Sequence, residues 1–193
     1  RYWDIDGLPE LVMGALWMVW GIAWLFGEAL PDGTARQLYW TFAPALLVLG
    51  GVAAVRLIKL LKARITFPRT GYVEWKEPSA PARMTAAGIA LAAAAALVII
   101  LANQDGRAGA NTPVVLSVIL SLAFVVASLR QRAPHMLALA GVAIVLGFAF
   151  GAIDRGWTAV NWMFVALGVV TSAIGGFRLG LFLRRHPRPS ESA

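Results

Sequence analysis

Few side chains in this 193-residue chain have the type and spacing that chemistry needs. His135 and His186 lie in basic segments, and neither has a second His or a carboxylate at metal-ligand spacing. Ser117 and Ser121 share a helix face one turn apart, with Ser128 further along it. A nucleophilic serine would need a Lys or His base beside it, and the surrounding stretch supplies none. Their expected role is helix–helix hydrogen bonding or back-bonding to the carbonyl four residues earlier. Zero cysteines excludes disulfides and thiolate chemistry, and Asn161 reads as a helix cap. The chain is therefore expected to be no enzyme and to hold no metal or cofactor.

Charge inside a membrane usually marks an ion path or a proton relay. Here Glu10 and Glu28 fall near the two ends of one apolar stretch, and Arg56 and Arg178 fall within snorkelling reach of a boundary. No ionisable residue falls near the middle of a stretch, which disfavours ion-coupled transport. Glu10 is expected to pair with Arg56 or Arg178, as a structural clasp first and a gate second. Trp17 and Trp20, with Met13 and Trp24, fall within one arc of a helix. They are read as core packing or lipid-facing bulk, with an apolar ligand wall built on Trp17 and Trp20 as the sharper alternative.

The elements that must position these groups are six apolar stretches, at about 9–30, 37–61, 84–103, 112–129, 134–153 and 158–183. Each approaches the roughly 20 residues that cross about 30 Å of hydrocarbon. A chain that is 59% hydrophobic and 14% charged is too apolar for a soluble domain of this size. The net charge of +7 is unevenly spread: fourteen Lys and Arg fall in the termini and in alternate connectors, and three (Arg36, Arg107, Arg155) in the others. Positive residues stay inside, so both termini are predicted to face the cytoplasm. The basic balance then reflects topology and anionic lipid, and no nucleic-acid partner is expected. Three short outer loops each pair an Asp with an Arg (Asp32/Arg36, Asp105/Arg107, Asp154/Arg155) and read as solvated, neutral turns. The start at Arg1 lacks an initiator Met and does not resemble a cleavable signal, so a trimmed or partial N-terminus is expected.

The fold class is thus all-α: one polytopic domain, 1–193, of six transmembrane helices with both ends inside. Its one sizeable connector, 62–83, is basic and cytoplasmic. Ile65–Phe67 and Tyr72–Trp75 are strand-like and flank Pro68-Arg69-Thr70-Gly71, which predicts a small interfacial β-hairpin. Lys62, Arg64, Arg69 and Lys76 are the expected contacts to anionic lipid on the inner face. The run Lys62 to Val73 resembles a segment of uncharacterised bacterial multi-pass membrane proteins. These carry a similar basic, aromatic-Pro-Arg-Thr-Gly-Tyr-Val stretch after an early pair of spans. That resemblance covers the first 76 residues or so, implies an architecture in a bacterial cytoplasmic membrane, and brings no assigned activity.

Small residues recur every four positions in the last two stretches: Ala143, Gly147 and Gly151 in the fifth, and Gly168, Ser172, Gly176 and Gly180 in the sixth. Such stripes let backbones approach closely. The plainer reading is packing of the fifth span on the sixth; the other is a seam for a second copy or a partner. Two function classes follow. The first is an accessory or interaction subunit of a membrane assembly, or a homo-oligomer. The alternative is a small transporter, channel or lipid-handling protein for an apolar or weakly polar substrate.

Overall fold

A computed structural model describes residues 6–70, 112–131, 133–153 and 156–187, and among them every regular element is helical. Helix α1 is Leu8–Ala29 and α2 is Thr34–Leu61. A π-helical turn, Lys62–Thr66, and a short helix α3, Phe67–Thr70, prolong α2. Beyond them come α4, Thr112–Gln131, α5, His135–Ile153, and α6, Trp157–Arg185.

Helix α1 begins where Gly7 takes the left-handed conformation (φ 73°), Asp6 Oδ1 accepts from the Leu8 amide at 3.1 Å, and Pro9 stands in the first turn. Helix α2 bends by 43° between Thr34–Ala43 and Ala45–Thr70. Pro44 stands at the break, and its nitrogen has no proton to give to the Trp40 carbonyl.

The predicted hairpin is not what the chain forms at its first strand. Ile65, Thr66 and Phe67 are helical. Pro68 accounts for the local widening: in an α-helix its ring would press on the Arg64 carbonyl four residues back. The chain adopts a π register instead, with the Phe67 amide donating to the Lys62 carbonyl. Thr70 Oγ1 then donates to the Thr66 carbonyl at 3.0 Å and Arg69 Nη1 to the Ile65 carbonyl at 2.9 Å. A β-branched run thus follows the helix it continues, because tertiary context overrides strand propensity. The second predicted strand, Lys76 and the third predicted span at 84–103 lie outside the described residues.

The chain divides into two compact units, Arg1–Val73 with Phe164–Ala193, and Glu74–Met163. In the first, α1 packs on both α2 and α6. Near the C-terminal end of α1, Tyr39 Oη donates to the Ala23 carbonyl at 2.5 Å. Trp24 meets Trp40 edge-on with ring centroids 5.2 Å apart. Toward its N-terminal end, Val12, Ala54 and Ile58 form a buried cluster flanked by Met13, Leu16 and Leu61. Against α6 the contact is backbone to backbone. A Cβ on Gly14 would lie 2.5 Å from the Ser172 nitrogen and 2.7 Å from the Gly168 carbonyl oxygen. Only hydrogen fits there. In the second unit, α4 and α5 form an antiparallel hairpin in which Gly147 lies against Ser117 and the Pro113 carbonyl, and Gly151 against Val114.

Among the described residues, four helices are long and apolar enough to cross a membrane: α1, Thr112–Leu129 of α4, α5 and α6. Helix α2 makes a fifth if the bent pair is one span. Large apolar side chains stand outward along them, among them Ile22 and Phe26 on α1, Phe42 and Leu49 on α2, Phe148 on α5 and Phe177 on α6. Water would penalise such a surface, and hydrocarbon accepts it. Length, composition and surface together are those of a multi-pass membrane protein.

Candidate functional site

The densest polar constellation among the described residues lies at the N-terminal end of α1, within the first unit. Both α2 and α6 run antiparallel to α1, so their C-terminal ends meet it there. The α2 partner is shown by Asp6 against Lys62 and Thr66, the α6 partner by Gly7 against Gly175 and Arg178. Asp6 is fully buried, Lys62 is 1% exposed, and the Lys62 ammonium lies 3.3 Å from Asp6 Oδ2. Thr66 Oγ1 donates to the same carboxylate oxygen at 2.7 Å, while Oδ1 takes the Leu8 amide. One carboxylate therefore caps α1, neutralises a buried ammonium and grips the π turn.

One turn further along α1, Glu10, 2% exposed, forms an ion pair with Arg178 Nη1 of α6. Glu10 also stands in the first turn of α1, where the helix dipole favours negative charge. The sequence offered Arg56 or Arg178 as its partner, and the structure places Arg178 there, with Arg56 exposed on α2. The two ion pairs tie α1 to α2 and α1 to α6. Buried charge of this kind is tolerated when it is paired and hydrogen-bonded, and what it supplies here is a fixed arrangement of three helix ends.

No protein-family model, curated protein or solved structure matches this chain. Its functional reading therefore rests on its own residues.

Those singled out from the sequence fall as follows. Lys62, expected on lipid, is turned inward onto Asp6, because the widened turn sets it and Thr66 on the face toward α1. Arg64 is exposed, and Arg69 is half-buried against its own turn. Trp20 lies over Gly50 of α2, where an added Cβ would meet its Nε1 at 3.2 Å, and Trp17 is half-buried. The sixth-span stripe divides. Gly168 and Ser172 face α1, joined by Gly175, which the four-residue spacing did not include. Among the described residues, a Cβ on Gly176 would meet Leu11 alone, at 3.9 Å, and a Cβ on Gly180 would meet nothing within 4 Å. Gly147 and Gly151, with buried Ala143, belong to the face of α5 that meets α4.

Sequence reasoning missed the Asp6–Lys62–Thr66 cluster. The available signal was an Asp two residues before a Pro-containing helix start, together with a Thr four residues from a Lys. Its meaning depended on the two ends meeting. Arg36, in the first turn of α2, pairs with Asp32 in the exposed turn before it, as the sequence suggested. Among the described residues no group of three His, Cys, Asp or Glu is placed to hold a metal ion.

Proposed function

We propose that this protein is a membrane-embedded interaction subunit, associating with a second copy or with a partner helix, and that α6 carries the contact. One observation supports this above others: α6 has two lines of small residues with different fates. Gly168, Ser172 and Gly175 are pressed against α1, whereas Gly176 has the tip of Leu11 at 3.9 Å and exposed Gly180, beyond exposed Phe177, has no described atom within 4 Å of an added Cβ. Open glycines on an apolar helix allow a partner backbone to approach closely, which is how helices associate where no hydrophobic drive exists. The two ion pairs support the same reading, since they hold the α1, α2 and α6 ends in one arrangement.

The accompanying architecture is six spans with both termini in the cytoplasm of a bacterial cell. It is supported by the five apolar helices counted with the bent α2, by the further apolar stretch at 84–103, and by the distribution of Lys and Arg.

The test is native mass spectrometry of the protein released in a mild detergent, for wild type and for Gly176→Leu with Gly180→Leu. A defined protein complex or homo-oligomer that the double variant loses, while its melting temperature is kept, is the expected result. A lone monomer retaining a small apolar molecule would replace this reading with transport or lipid handling.

A further inference from the structure

We infer that the shared end of α1, α2 and α6 is a binding rim for anionic phospholipid headgroups, with its contacts divided between two helices: Arg56, Lys59 and Arg64 from α2 and its π turn, and Arg184 and Arg185 from α6. The location deepens the inward orientation proposed above. The rim itself rests on how charge is distributed at that end.

Two acids and two bases are withdrawn there. Asp6 is buried on Lys62, and Glu10 on Arg178. Among the described residues, what is left outward at that end is of one sign. Arg56, Lys59, Arg64, Arg184 and Arg185 are all exposed, and among the described residues none of them makes an ion pair. Burying the two acids thus leaves a positive rim on an end whose sequence is mixed in charge.

The helix geometry concentrates these residues. Helices α2 and α6 both run antiparallel to α1, so both send their C-termini to the same end, with Lys59 in the last turn of α2 and Arg184 and Arg185 in the last turn of α6. Lys59 follows Arg56 by three positions and so shares its face. Exposed apolar side chains, Val55, Leu57 and Leu60 on α2 and Phe177 and Leu183 on α6, stand beside the cations. Cations bordering an apolar surface fit a ligand that carries phosphate above acyl chains, and juxtamembrane basic clusters bind anionic lipid in this way. This assignment differs from the one the connector sequence suggested: of Lys62, Arg64, Arg69 and Lys76 only Arg64 is kept, and Arg56 and Lys59 of α2 and Arg184 and Arg185 of α6 join it.

The experiment uses the full chain in nanodiscs of phosphatidylcholine, with or without phosphatidylglycerol, followed by thermal melting and by native mass spectrometry of retained lipid. Phosphatidylglycerol should raise the wild-type melting temperature by several degrees and be retained on release. Lys59→Gln with Arg64→Gln, and Arg184→Gln with Arg185→Gln, should each lose part of that shift, and all four together should lose most of it. Lys62→Met should lower melting equally in both lipids. Equal wild-type melting in both lipids, or a full shift in the four-residue variant, would overturn the rim. An equal shift from inorganic phosphate in phosphatidylcholine alone would also overturn it, in favour of a soluble anion. Because both leaflets of a nanodisc are alike, the result does not depend on orientation. Labelling of Pro187→Cys in intact cells tests orientation separately.

Discussion

Lys62 Nζ and Asp6 Oδ2 lie 3.3 Å apart with both side chains out of contact with solvent, joining the residue that caps α1 to the π turn that ends α2. Thr66 completes the arrangement by donating to the same oxygen. The pair does at the helix ends what Val12, Ala54 and Ile58 do further along: it holds α1 and α2 in register.

Removing one partner of this pair should be costly, because it takes a counter-charge away from a buried charge. Asp6→Asn or Lys62→Met alone should destabilise the protein by about 3–5 kcal/mol. The double variant should recover much of that loss. Unfolding in mixed micelles, taken as a double-mutant cycle, checks it; additive single losses would show that the two groups do not interact.

Between α1 and α6 the fit is set by backbone, so size matters more than polarity. Gly14→Val would thrust methyl groups at the Ser172 nitrogen and the Gly168 carbonyl, with an expected loss of about 1–3 kcal/mol or more. Gly180→Val, on the same helix as Gly168 but with no described neighbour, should leave monomer stability almost unchanged. Melting temperatures in detergent compare the two.

Helices α4 and α5 should show the same dependence. A Cβ at Gly147 would lie 3.0 Å from the Pro113 carbonyl and collide with Ser117. Gly147→Ala should therefore weaken the hairpin. Ser117→Ala removes a hydroxyl that bonds the Val114 carbonyl of its own helix and should be nearly neutral alone. Combined with Gly147→Ala, it should relieve part of the clash.

At the other end of α1, Tyr39 Oη donates to the Ala23 carbonyl, between Trp40 on one side and Phe26 on the other. Tyr39→Phe keeps the ring contacts and loses only the hydrogen bond. A loss of roughly 1 kcal/mol is expected, against a larger one for Tyr39→Ala, which also empties the space beside Gly27. Unfolding of the two variants separates the contributions.

The sequence by itself determined the material of this protein. Apolar runs of bilayer length had to become helices, since only a helix satisfies its backbone hydrogen bonds internally in lipid. The structure has helices from Leu8, Thr34, Thr112, His135 and Trp157, close to where the composition put them. Charge at the N-terminal end of α1 was legible too: Glu10 needed an arginine, and Arg178 was one of the two at hand. What the tertiary structure decided was pairing. Four-residue spacing grouped Gly168 and Ser172 with Gly176 and Gly180, but the helices cross so that Gly175 takes the next contact with α1 and Gly180 meets no described residue. A crossing angle is not written in one helix's periodicity; it follows from both surfaces. Likewise Ile65–Phe67 had strand-like residues, but Pro68 widened the turn and Asp6 captured Lys62 and Thr66, so the segment stayed helical. Local propensity is weak beside a buried carboxylate that must find its counter-charge.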